Sequence, residues 1–133
     1  MKLTLPWPES VNSYWQSRAI KVHGKWMSTV YVSAAGKSFQ KNVASAVADQ
    51  LGQHQPLEGR LGYIFEFHQP NARKCDISNY VKSTEDALTK AGVWLDDSQV
   101  DRGLLVRGDI DRKNPRVEVT ITVLRSAERT LLS

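Results

Sequence analysis

The sequence predicts an α+β fold: a single small domain in which a mixed β-sheet carries two main helices. Three observations support this. Several short segments alternate apolar and polar residues as strands do, most clearly Arg116–Leu124, where Val117, Val119, Ile121 and Val123 are expected to point inward. Two longer segments repeat apolar residues at helical spacing instead. The length, 133 residues, suffices for one hydrophobic core and is short for two. The whole chain, 1–133, is therefore read as one domain, with about 125–133 as a frayed tail.

The elements follow in order. Lys2–Leu5 alternates as a strand and is stopped by Pro6 and Pro8. Gly24 suits the turn of a hairpin between Ala19–Val22 and Trp26–Val32. Ser33 is placed to cap a helix from Ala34 to about Leu51, with Phe39, Val43, Ala46 and Val47 on its apolar side and Gly52 at its stop. Gly62–His68 reads as a strand ended by Pro70, and Asn71–Cys75 as a basic loop. A second helix runs from about Asn79 to Ala91. Either Asp76 or Ser78 caps its start, and Gly92 suits its end. Ile77, Val81, Thr84, Leu88 and Ala91 form its core-facing stripe. Val100–Arg107 and Arg116–Leu124 complete the strands, separated by a loop over Asp109–Pro115. This order is compatible with a mixed sheet that has both helices on one face.

Composition narrows the function. No apolar run approaches the ~20 residues that a membrane-spanning helix needs. One cysteine, Cys75, excludes an internal disulfide, and the opening residues show no signal-like block, so the cytosol is the expected compartment. There is no phosphate-binding glycine loop, so no nucleotide cofactor is expected, and His23, His54 and His68 lack zinc spacing. The net charge of +4 favours a polyanionic partner such as nucleic acid. Yet residues 61–100 hold six acids against four bases, an acidic centre in basic surroundings.

That centre is CDISNYVKSTEDALTKAGVWLDDSQV, residues 75–100. A helix of 13 residues is roughly 20 Å long, and the six residues Gly92–Asp97 extend about as far. The chain after the helix is thus able to return and deliver Asp97 near Asp76. Two carboxylates brought together repel unless a proton or a cation joins them. Mg²⁺ takes carboxylate oxygens, retains waters and engages phosphates, which is the chemistry of metal-assisted phosphodiester cleavage. The structural alternative is that Asp76 is only a helix cap and Asp96–Asp97 only a turn. Lys82 follows Ser78 by four residues on one helix face; it is placed either to steady a phosphate or to pair with Asp86.

The run DISNYVKSTEDALTKAGVWLDDSQV strongly resembles the core of RusA-type Holliday junction resolvases. LPWPESVNSYW is similar to that family's opening motif, and RVEVTITV to its last strand, so the resemblance spans about Leu3 to Leu124. It implies a homodimeric, Mg²⁺-dependent endonuclease (Mn²⁺ being an alternative ion), of a kind commonly encoded by phages and prophages. Such an enzyme makes paired symmetric nicks in branched DNA, the four-way junction. By the resemblance, Asp76 matches the first acid of a D-x-D-N motif and Asp97 the last catalytic acid. Lys82 matches a lysine tied to catalysis, and Asn79 the motif's asparagine. Ser78 departs from the pattern: it stands where many members have the second aspartate. The alternative is therefore a junction-binding homologue whose weakened metal site does not cut. Asp101 is weighed as a replacement acid because it shares Asp97's parity along an extended segment, from which Asp96 is expected to point away. Glu85 lies on the same side of the helix as Ser78 but seven residues along, roughly 10 Å, and is set aside as too far.

Arg73 and Lys74, just before Asp76, are read as phosphate contacts. The Asn12–Lys25 region interleaves Tyr14 and Trp15 with Arg18, Lys21 and Lys25. Its aromatics either stack on unpaired nucleotides or anchor the core or a dimer. Trp7 and Trp94 are expected in the core.

Overall fold

The structure is a computed structural model, and it describes residues 1–125. The segment expected to fray falls, but for Arg125, outside the described residues. Four strands form the main sheet: β1 (Lys2–Pro6), β4 (Leu61–His68), β5 (Val100–Arg107) and β6 (Arg116–Val123), in the order β1-β6-β4-β5. β6 pairs antiparallel with β1 and β4, whereas β4 and β5 are parallel. A parallel pair needs a crossover, and here that crossover carries helix α3 (Val81–Lys90). The sheet is mixed, as expected. A second, two-stranded sheet is the hairpin β2 (Trp15–Val22) and β3 (Lys25–Val32), entered from the short helix α1 (Val11–Tyr14). Helix α2 (Ala34–Leu51) follows, capped by Ser33, whose Oγ accepts from the Gly36 N–H at 2.9 Å.

One core results. Leu3 and Leu5 of β1, Tyr63, Phe65 and Phe67 of β4, and Val117, Val119 and Ile121 of β6 face Phe39, Val43 and Val47 of α2 and Ala87 and Leu88 of α3. The strand residues between them face outward; Ile64 and Leu104, for example, are exposed. Trp94 is buried, and Trp7 packs partly buried against the same cluster, in line with the expectation.

Three local expectations are corrected, and one element, α1, is added. Val123 does not point inward. The alternation slips by one after Ile121, because the Leu124 N–H bonds to the Arg60 carbonyl at 2.8 Å and Leu124 becomes the buried residue. The hairpin is longer than expected: its strands start and end next to α1 and α2, and β2 begins at Trp15. The α1 turn is too short for a periodic signal and went unread. The second helix does not run uniformly from Asn79 to Ala91; a 3-10 turn, Ile77–Tyr80, precedes α3.

Candidate active site

The candidate residues lie before, within and after α3. At the front, Asp76 caps the 3-10 turn: its Oδ1 accepts from the Ser78 N–H at 3.1 Å and the Ser78 hydroxyl at 2.7 Å. The two candidate caps are thus one unit, with Asp76 as acceptor and Ser78 as donor. These two bonds, and beyond them the Arg107 guanidinium, hold the Asp76 carboxyl below the usual range. Arg107 reaches over from β5, donating to the Cys75 carbonyl at 2.7 Å and to Gln69 Oε1 at 2.6 Å. Asn79 is exposed on the same turn and donates its backbone N–H to the Asp76 carbonyl at 3.0 Å.

Lys82 stands in the first turn of α3, its side chain 70% exposed and its Nζ 3.9 Å from Glu85 Oε1. The alternative partner, Asp86, is engaged elsewhere: it accepts from the Tyr14 hydroxyl and from Gln40 Nε2. Glu85 is buried and accepts from the Tyr63 hydroxyl at 2.8 Å. Burial first, then Glu85, and then Asp97 push the Tyr63 phenol up, so at neutral pH it remains a donor.

Past α3 the chain turns back. Gly92 takes φ +76°, and the Val93 N–H bonds to the Leu88 carbonyl at 3.1 Å. The Leu57 N–H then ties the Val93 carbonyl at 2.9 Å, and the buried Trp94 donates Nε1 to Thr89 Oγ1 at 2.6 Å. The return brings Asp97 into electrostatic reach of Lys82, Asp86 and Tyr63. Asp97 opens a second 3-10 turn, Asp97–Gln99, capped by Asp96. Gln99 fixes this corner, donating to the Leu57 and Gly59 carbonyls and accepting from the Leu95 and Asp96 N–H groups. Because the segment is a turn and not extended, Asp96 does not point away: its carboxyl comes within hydrogen-bond reach of that of Asp97, a bond that needs one of the two protonated. That bond first, then burial and the Asp96 charge, raise the Asp97 carboxyl above its ordinary value, against the lowering effect of Lys82.

The turn also breaks the parity argument for Asp101. Its carboxylate is held by Arg60, with Nε at 2.7 Å and Nη2 at 2.6 Å, so it is committed to that ion pair. Arg73 and Lys74 are exposed and, with Cys75 and Arg107, line a shallow cleft of ≈ 320 Å³ beside Asp76. Asn12 is exposed on α1, and Arg18, Lys21 and Lys25 are exposed on the hairpin. Tyr14 is fully buried, which removes it as a stacking residue; Trp15 is half-buried against the core.

The donor chemistry suits a hard divalent cation. Among the described residues no three His, Cys, Asp or Glu side chains form a ready-made cage. Mg²⁺ does not require one, since it is held by one or two carboxylates, its own waters and a substrate phosphate. The closeness of Asp96 raises the Asp97 carboxyl, a repulsion that a cation held by Asp97 would relieve.

Comparison with known proteins decides the family. The family model described as Endodeoxyribonuclease RusA matches residues 8–122. The chain belongs to the RusA family of endodeoxyribonucleases. Relatives named Crossover junction endodeoxyribonuclease RusA from Escherichia coli strain K12 and from Enterobacteria phage 82 are each 37% identical over 123 residues, covering 90% of this chain and 92% of theirs. The RusA protein of Escherichia coli O139:H28 is 35% identical over 125 residues, covering 92% of this chain and 93% of its own. A RusA relative in a phage fits the expected phage or prophage setting.

Within this RusA-family frame, sequence reasoning missed Tyr63 and the Arg107 brace, and it set Glu85 aside as a distant acid instead of pairing it with Lys82. Glu85 carried a signal, since it sits three residues after Lys82 on a helix. Tyr63 and Arg107 carried none, because they arrive from neighbouring strands.

Proposed function

We propose that this chain is a divalent-metal-dependent endonuclease that resolves four-way DNA junctions by paired nicks, acting as a homodimer in the cytosol. The observation that carries the reading is the return of Asp97 to the side of Lys82, within a chain whose relatives bear the name crossover junction endodeoxyribonuclease. The domain is taken to be one unit over 1–133. Dimerisation follows from two-fold logic: two symmetric cuts on a four-armed substrate call for two related sites. No helix of the described residues is long and apolar enough to cross a membrane.

Each residue has a role. Asp76 and Asp97 hold the ion, Mg²⁺ or Mn²⁺; when bound, it supplies Lewis-acid polarisation of the phosphate and acidifies a water. Asp76 is ready for this, because its carboxyl is kept ionised by Ser78 and Arg107. Lys82 lays its ammonium on the scissile phosphate and neutralises charge as the water oxygen bonds to phosphorus and the bond to the leaving strand end breaks. Glu85, itself fixed by Tyr63, draws the Lys82 ammonium toward its own side of α3. Arg73, Lys74 and Asn79 take flanking phosphates, with Asn12, Trp15, Arg18, Lys21 and Lys25 extending the contact. Ser78 adds no charge; its hydroxyl is spent on Asp76. The non-cutting alternative is not favoured, since the matched relatives are named for junction cutting.

A synthetic four-way junction with Mg²⁺ or Mn²⁺ tests the proposal. Nicking should be paired and symmetric. Asp76→Asn and Asp97→Asn should each reduce it at least ~100-fold, because several kcal/mol of charge stabilisation leaves with the ion. Undiminished nicking by both variants would refute the mechanism.

A further inference from the structure

The hairpin β2–β3 leaves the body of the molecule after Tyr14 and rejoins it at Ser33. Its base is anchored: the Ser33 N–H bonds to the Tyr14 carbonyl at 2.8 Å, and Trp15 and Val32 pack half-buried on the core. Beyond that base it is exposed on both faces, with Trp26 at 71%, Val30 at 68% and Met27 at 54%. Two strands alone do not cover such a surface, and contiguous exposed apolar groups mark a contact surface.

Charge selects the occupant. Residues 15–32 contain Arg18, Lys21 and Lys25 and neither Asp nor Glu. A second copy of the hairpin would bring like charges together, whereas a polyanion matches. The cations are interleaved with the rings: Arg18 lies 5.2 Å from the Tyr31 centroid, and Lys21 is 6.0 Å from that of Trp26. Basic groups that track phosphates beside open aromatic faces are the means by which proteins hold unpaired bases. The tip is narrow and defined. His23 and Gly24 both have positive φ, 51° and 78°, the two-residue turn whose twist matches a hairpin. Trp26 pairs with Lys21 across the strands, one step from that turn. Intact duplex offers no free base faces; the branch point of a junction does once its central pairs part.

We propose that the hairpin is a wedge: Trp26 stacks on a base exposed at the branch point, while Lys21 and Arg18 hold the flanking phosphates. The inference rests on the junction-nuclease reading and adds to it the residue that opens the substrate. Trp15, weighed as either a stacking or an anchoring residue, is half-buried, and the most open ring in this region is Trp26.

The test uses the full chain and a four-way junction with 2-aminopurine at the branch point, with Ca²⁺ replacing Mg²⁺. Binding of the unaltered protein should raise 2-aminopurine fluorescence as the base unstacks from its neighbours. Trp26→Ala should abolish the rise and weaken junction binding about 5- to 150-fold, the effect of losing one stacked base. Affinity for linear duplex should stay within about 2-fold, and Trp26→Phe should keep the rise. An equal rise with Trp26→Ala would overturn the wedge and leave the nuclease reading standing. So would junction binding by the unaltered protein without any rise, or loss of self-association in Trp26→Ala. Failure of the unaltered protein to bind the junction at all would overturn both.

Discussion

At Ser78 a neutral hydroxyl stands beside the helix-capping acid, and it donates to that acid. Replacing it with aspartate reverses the relation: a donor becomes a second carboxylate next to Asp76, and the two repel without a cation. Ser78→Asp is expected to lower the thermal midpoint in EDTA and to reduce the Mg²⁺ concentration at half-maximal nicking. Melting curves with and without Mg²⁺, together with a metal titration of cleavage, check both. A Ser78→Asp variant that is stabilised in EDTA would show that the acids do not meet. Glu85 makes a second prediction. Glu85→Gln keeps a hydrogen-bond acceptor for Tyr63 but removes the charge that holds Lys82. Nicking should fall about 10-fold through kcat, with KM for DNA little changed, since the ammonium is loosened only where charge develops. The cap at Asp76 and the return of the chain past Gly92 toward Lys82 were legible because caps, helix length and return length are local quantities. The parity argument for Asp101 presumes an extended strand, whereas residues 97–99 form a turn.

At the level of elements, the parallel pair β4–β5 sets the site's back wall. Gly103 lies opposite Tyr63 in the ladder. A Cβ there would sit 2.5 Å from the Tyr63 ring. Gly103→Ala should therefore push the ring off Glu85 and cost about 1–3 kcal/mol. Chemical denaturation measures the loss, and an unchanged midpoint would count against the close packing. β6 carries an acid-sensitive link to the adjoining loop. Arg116 bonds Asp111 and Glu118, each at 2.7 Å. The Asn114 N–H and then Arg116 lower Asp111. Burial would raise Glu118, but Thr4 and Arg116 outweigh it, so Glu118 is lowered too. Carboxyls depressed in the folded state stabilise it above their unfolded values and lose that contribution as pH falls through their folded ones. The thermal midpoint should drop as pH falls below the ordinary carboxylate range, and Arg116→Met should flatten that limb. Strand and helix identities were legible from period; the slip at Val123 was not, because it depends on Leu124 finding Arg60 across the sheet.

Across the whole molecule, a net charge of +4 surrounds an acidic centre; on the proposed reading the periphery draws DNA in and the acids hold a cation. Junction affinity should fall steeply with salt. Arg73→Gln with Lys74→Gln should reduce the log–log slope by roughly 2, near 0.9 per lost phosphate contact. The hairpin's exposure was invisible in the sequence, since the same pattern of aromatics and cations describes a strand packed on the body. Only the three-dimensional fold separates the buried Tyr14 from the open Trp26. On the proposed mechanism, nicking depends on one ion held by the two acids that flank α3. Anomalous diffraction from crystals soaked in Mn²⁺ is the most direct measurement of it. The account predicts a single strong peak per chain, touched by carboxylate oxygens of both Asp76 and Asp97. A peak elsewhere, or one that excludes either aspartate, would contradict it.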